Sequence, residues 1–236
     1  MTTKILKYLA VALFLGGCSF SCSECGETSC DCKNELYMYP HGDKKEFLYE
    51  HLLNNWLFVG FRQGTQKEEI VRYINQTGLF KTVDESQIFD SPFLSCLCAN
   101  EDNYALFVKT KRSRTCTQLK EIIRRLENAP IVSFANLTFE GNKFSDIPMH
   151  HQPNLVMSFT PCFYVYAKDA DDLSDLYAVV QETKTKIVCQ VAEWFYLTTD
   201  ETSIGNAMQT ANYFYETGKF KYACPDFILQ NVNINK

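Results

Sequence analysis

Residues 106–139 read LFVKTKRSRTCTQLKEIIRRLENAPIVSFANLTF. An apolar run leads into an amphipathic stretch, and a second apolar run follows. Leu119, Ile122, Ile123 and Leu126 recur at the spacing of one helix face. Thr115 and Gln118 stand where a capping box opens a helix. The stretch therefore reads strand, helix, strand. Residues 194–227, WFYLTTDETSIGNAMQTANYFYETGKFKYACPDF, repeat that pattern without a gap at an offset of 88. Phe107 meets Phe195, Phe134 meets Tyr222 and Phe139 meets Phe227. Ile204, Met208, Ala211 and Phe214 form the apolar stripe of the later helix.

The segments upstream match as well. LFVGF (57–61) precedes a helix with Ile70, Val71 and Ile74 inward, opened by a capping box of Thr65 and Glu68. CFYVYAK (162–168) precedes one with Leu173, Leu176 and Val180 inward, and Asp169, Asp171 and Asp172 suit its positive N-terminal end. TGLFKTV (77–83) and TKIVCQV (185–191) follow as strands. TGLFK (77–81) and TGKFK (217–221) each read as a helix stopping on glycine before a strand. Each half is thus a βαββαβ unit, the split βαβ of ferredoxin-like folds. The expected fold is α+β: two such units in tandem, with helices on one face of antiparallel sheets. PHGD (40–43) marks a β-hairpin ahead of the first unit. Boundaries follow: a first unit with its hairpin at 35–140, a proline-containing linker at 141–154, a second unit with a C-terminal tail at 155–236.

The N-terminus carries a different message. Lys4 and Lys7 precede LAVALFL, an apolar core too short to span a bilayer, and Leu15-Gly16-Gly17-Cys18 follows. Small residues before a cysteine resemble the lipobox of a bacterial lipoprotein signal peptide at 1–17. Cleavage there makes Cys18 the lipidation site and the membrane anchor. Removing 17 of the 236 residues, with Lys4 and Lys7 among them, leaves 21 basic against 28 acidic side chains. That balance argues against nucleic acid as a partner. Five of the 11 cysteines crowd residues 18–34. They read either as a tether that is disulfide-bonded outside the cell or as a metal knot of Cys22, Cys25, Cys30 and Cys32. The tether is the better fit, because Cys30-x-Cys32 is tight for a zinc pair.

Catalytic signatures are missing from the sequence. It holds no Gly-x-Ser-x-Gly elbow, no phosphate-binding glycine loop and no His-Glu-x-x-His. His41, His51, His150 and His151 fall in turns and the linker, where solvation is the ordinary fate. The reading is no enzyme, no cofactor and no metal site.

The stretch ELYMYPHGDKKEFLYE, the two βαββαβ units and above all ANYFYETGKFKYACPDF (211–227) resemble the N-terminal prodomain region of subtilisin-like serine peptidases of Bacteroidetes. The resemblance covers about residues 35–230. The catalytic Asp, His and Ser segments of that family have no counterpart here, and PHGD is not its catalytic histidine motif. The resemblance implies a stand-alone propeptide that binds a subtilisin-like serine protease, as inhibitor or as folding helper in trans. In such a propeptide the sheet packs on two protease helices, and the C-terminal segment enters the substrate cleft as an added strand. It implies that Asp226, Phe227, Ile228, Leu229 and Gln230 lie nearest that cleft. On this reading removing residues 228–236 weakens inhibition and leaves the melting temperature nearly unchanged. The expected location is the bacterial cell envelope, lipid-anchored in the outer membrane. Two alternatives stay open: a structural or adhesive surface module reusing the fold, and the remnant of a truncated peptidase gene.

Overall fold

The two TG-x-FK turns are built alike. Gly78 and Gly218 take φ +67° and +70°, which glycine adopts without strain. The hydroxyls of Thr77 and Thr217 donate to the carbonyls of Ile74 and Phe214, both at 2.7 Å. The backbone N–H two residues on then donates back to each hydroxyl. Phe80 and Phe220 follow, both buried. Five residues of sequence thus specify a helix stop and aim the next aromatic side chain into the core.

The computed structural model describes residues 30–39, 42, 44–90, 104–141, 154–169 and 171–232. Within them, helices α1 (Cys30–Lys33), α2 (Lys67–Gln76), α3 (Cys116–Glu127), α4 (Ser174–Thr183) and α5 (Ala207–Glu216) alternate with strands. A small hairpin pairs β1 (Tyr37–Met38) with β2 (Glu46–Phe47). All other strands join one eight-stranded antiparallel sheet. Its order is β4 (Phe89–Asp90), β5 (Tyr104–Lys109), β3 (Leu52–Phe61), β6 (Val132–Glu140), β7 (Leu155–Ala167), β9 (Trp194–Thr198), β8 (Lys186–Val191). The last strand, β10 (Phe220–Asn231), runs along the other edge of β7 for nearly its whole length. β6 and β9 share the remaining edge of β7, β6 at Val156–Met157 and β9 at Cys162–Tyr166. The fold is therefore α+β, with an antiparallel sheet.

Helices cover one face. Ile70 and Ile74 of α2 and Leu119, Ile122 and Leu126 of α3 bury against Leu57, Val59, Leu106, Ala135 and Phe139. Leu176 and Val179 of α4 and Ala211 and Phe214 of α5 bury against Phe163, Val165, Phe195 and Leu197. Met208 of α5 reaches into the first of these cores, so the halves share packing as well as strands. Most of the expected stripes hold, and three details change. Val179 and Thr183 are buried with Leu176 on α4, while Leu173, its cap, and Val180 pack half-buried against the same core. Ile204 precedes α5 and is exposed; Asn206 and Gln209 form the capping box there, so helix starts in the two halves are three residues out of the 88-residue offset. Thr65 makes no cap, since its hydroxyl donates to the carbonyl of Arg62 and Gln66 takes the N-cap position. The Thr115–Gln118 box is formed.

TGLFKTV makes less strand than expected. Phe80 bridges Thr110 alone, and the edge strand of this half is the two-residue β4. The opposite face of the first half is not bare either. Trp56, Phe58, Phe107 and Phe134 are buried there, with Phe58 and Phe107 stacked at 4.7 Å. Gly60 admits this arrangement: a Cβ on it would lie 2.0 Å from a ring carbon of Phe134. Gly60→Ala should therefore cost about 1–3 kcal/mol by forcing that ring aside, read as a lower urea midpoint at unchanged slope.

The N-terminal segment straps the helix layer. Cys32 is disulfide-bonded to Cys116 at the start of α3, and Lys120 of α3 pairs with Glu35. The bond takes Cys32 out of the metal-knot alternative. The hairpin then lies on α5 of the other half. Asn212 donates to the carbonyl of Tyr37, and the hydroxyls of Tyr37 and Tyr39 both donate to Glu216. Cys18, the signal segment 1–17, most of the tether and nearly all of the linker 141–154 lie outside the described residues. No helix among the described residues is long and apolar enough to cross a membrane.

Candidate functional site

The segment that the resemblance assigns to a protease cleft is part of β10, an edge strand whose one neighbour among the described residues is β7. Phe227 pairs with Phe159, Ile228 with Ser158, Leu229 with Met157 and Gln230 with Val156. Phe227 packs on the Phe159 ring at 5.3 Å, and Ile228 is buried in the aromatic cluster around Trp56. Asp226 is buried too, and Leu229 is the exposed member, at 40%. The expectation of a detachable tail is thus corrected. Removing residues 228–236 strips ladder bonds and a buried isoleucine, and the melting temperature must fall with them.

What the strand does hold is a buried carboxyl. Pro225 pairs with Phe163 and Phe227 with Phe159, so three residues of β7, Thr160 to Cys162, stand opposite Asp226 alone. Pro161 at the centre of that bulge has no N–H to give to a ladder. The Asp226 side chain spans the gap on the helix-free face. Its Oδ2 accepts from the Thr160 hydroxyl at 3.0 Å and from the Tyr196 hydroxyl at 2.9 Å. Thr160 in turn accepts the Cys162 N–H at 3.1 Å. Burial pushes the Asp226 carboxyl up to about 6, against the lowering effect of the two hydroxyl donors. Burial likewise raises the thiols of Cys162 and Cys224, the second to about 11. Thiols held so far from ionisation are structural rather than nucleophilic.

Around this cluster the helix-free face of the second half is aromatic and open. The Tyr164 and Tyr196 rings lie 4.7 Å apart, Tyr166 and Trp194 4.8 Å, Trp194 and Tyr222 5.7 Å. The Lys221 ammonium sits 4.7 Å over the Tyr166 ring. Tyr164 is 38% exposed, Trp194 40% and neighbouring Val191 67%. Tyr and Trp in such a patch are the side chains that anchor protein interfaces. The sequence carried a signal for this site: Asp226 is a lone acid inside the apolar run YACPDFIL.

A second concavity of about 600 Å³ lies on the helix side, where β6 and β7 diverge beneath α3 and α5. Its charged lining is of mixed sign: Arg62 reaches Glu201 at 3.9 Å, Lys120 holds Glu35, and Arg124, Glu127 and Asp200 also line it. It offers no concentrated charge. Among the described residues no group of three His, Cys, Asp or Glu is placed to hold a metal ion. His41, His150 and His151 lie outside them.

No family model matches the chain, and no curated protein matches it. Among solved structures, one similar chain is the small subunit of acetolactate synthase from Thermotoga maritima. It aligns at 10% identity and a TM-score of 0.26, over 75% of this chain and 96% of that one. A likeness of that size carries no argument about function.

Proposed function

We propose that the protein is a non-catalytic, lipid-anchored envelope protein that binds a subtilisin-like serine protease in the manner of a stand-alone propeptide. In this reading the chain is two ferredoxin-like units in tandem, at 35–140 and 155–236, joined through residues 141–154. The strand orders support it: β4-β5-β3-β6 and β8-β9-β7-β10 each run second, third, first, fourth within their half. Cys18 carries the lipid. The buried Cys32–Cys116 disulfide fits a chain that folds in an oxidising compartment outside the cytosol.

The observation that carries the reading is the open aromatic face of the second half, with Tyr164, Tyr166, Trp194 and Tyr222 presented on strands that helices back from the other side. A propeptide-like sheet needs such a face to pack against its protease. Rigid strands present it without a large ordering cost. One observation favours the rival reading of a surface module without a protease partner: Asp226–Gln230 are tied into β10 and not free to enter a cleft.

Inhibition assays decide between them. The full chain at micromolar concentration should slow at least one subtilisin-like protease of the bacterial envelope. Replacing Tyr164 and Trp194 together by alanine should weaken that inhibition about tenfold or more, as expected for central aromatic anchors. If the full chain slows none of a broad panel, the surface-module reading replaces this one.

A further inference from the structure

The bulge opposite Asp226 is a weak point in the longest strand pair among the described residues. Three β7 residues face one β10 residue there, and the regular ladder resumes only at Phe227. Two side-chain bonds close the gap. One ties β10 to β7 through Thr160, the other ties it to β9 through Tyr196. Both end on the same oxygen of the same carboxyl. Hydrogen bonds across an otherwise unpaired stretch decide whether the strand beyond it opens as a separate unit.

We propose that Asp226 is a proton-dependent latch: its neutral carboxyl holds the C-terminal half of β10 against the sheet, and its ionisation loosens that segment.

The surroundings supply the reason. The titratable groups facing Asp226 are Cys162 from β7, Tyr196 from β9, and Cys224 with its neighbour Tyr222 from β10 itself. α5 packs on the other face of the sheet. None of the facing groups carries positive charge, and among the described residues no lysine, arginine or histidine is paired with Asp226. Lys221 is committed to the Tyr166 ring further along the strand. A buried carboxylate stabilised by two neutral hydroxyls alone is costly, and water relieves that cost once the strand lifts. A neutral carboxyl has no such incentive. Ionisation therefore favours every state in which Asp226 is exposed, and the smallest such state is β10 lifted at the bulge. The lifted segment, Phe227–Asn231, overlaps Asp226–Gln230, which sequence resemblance assigned to a partner's cleft. That consequence rests on the propeptide-like reading; the latch does not, since it is a property of the chain alone.

Hydrogen exchange of the full chain tests it without any partner. After correction for intrinsic exchange, opening of the Phe227–Asn231 amides should rise with pH, about tenfold per unit between roughly pH 4 and pH 6, then level off. The Trp56–Gly60 amides of central β3 should be far better protected at every pH. In Asp226→Asn the β10 profile should be flat over the same range. If the β10 amides track those of β3 throughout, the carboxyl acts on global stability only and the latch is overturned. It is equally overturned if the wild-type profile persists in Asp226→Asn. Thr160→Val removes one of the two ties and keeps the carboxyl; it should speed β10 exchange at pH 4, where a latch that works through Thr160 is otherwise closed.

Discussion

Replacing Cys32 and Cys116 together by alanine should destabilise the protein by about 4 kcal/mol. The bond closes a loop of 84 residues. The chain-entropy estimate for a loop of that size is between 4 and 5 kcal/mol, roughly, at 25 °C. Both sulfurs are buried in the larger core, Cys32 completely and Cys116 at 5% exposure, so truncation also removes apolar contact. The loss is a large share of the 5–15 kcal/mol, roughly, that domains of this kind possess. The variant should remain folded, with a much lower urea midpoint. The first structure to go should be the strap. Without the bond, the strap keeps the burial of Leu36, Met38 and Leu48 and the Asn212 bond to the Tyr37 carbonyl, while Glu35–Lys120 and the contacts of Tyr37 and Tyr39 with Glu216 are exposed polar pairs of small individual worth. Exchange in β1 and β2 should therefore accelerate more than exchange in β3. If the double variant unfolds within about 1 kcal/mol of the wild type, the disulfide is not a principal restraint.

The sequence disclosed what is periodic and local. Leu119, Ile122 and Leu126 announced the buried face of α3, and Thr115 with Gln118 announced its start. The glycines of the paired turns announced two helix ends, since a positive φ there leaves few other residues suitable. The order strand, helix, strand, repeated at an offset of 88, announced the alternation that the sheet displays. Long-range facts stayed hidden. No spacing rule links Cys32 to Cys116, because disulfide partners are set by where the fold brings the Cα atoms, here 6.2 Å apart. Thr65 has the right residue type for a cap, yet a nearer carbonyl at Arg62 claims its hydroxyl. Asp226 read as the first residue of the segment nearest a protease cleft. Its burial depends on a bulge around Pro161, 65 residues earlier, that no local pattern encodes.

Between pH 4 and pH 7 the wild type should lose about 2–3 kcal/mol of stability that Asp226→Asn does not lose. The carboxyl titrates near 6 in the fold, against an ordinary 3.8. Its folded value is raised, so the folded state holds the proton more tightly than the unfolded chain. The stabilising contribution is complete below about pH 4 and disappears as pH rises through 6. At 1.36 kcal/mol for each unit between the two values, the total is about 3 kcal/mol. Other carboxyls act in the opposite sense. Glu121, bonded to Arg124 and Arg125, and Asp200, bonded to Lys186, titrate near 2 and contribute stability that is lost only on acidification. These are exposed or partly exposed groups common to both proteins, so they cancel in the difference between wild type and variant. An asparagine amide in place of the carboxyl shifts the variant's curve by an amount that does not depend on pH, because its N–H groups seek acceptors in the same cavity. The decisive quantity is therefore the slope, not the offset. Urea midpoints measured at pH 4, 5, 6 and 7 should converge or cross for the two proteins, with the variant gaining on the wild type at each step up to pH 6. Parallel curves would mean that Asp226 titrates in the fold as it does in water, and that the hydroxyls of Tyr196 and Thr160 or entering water compensate its burial in full.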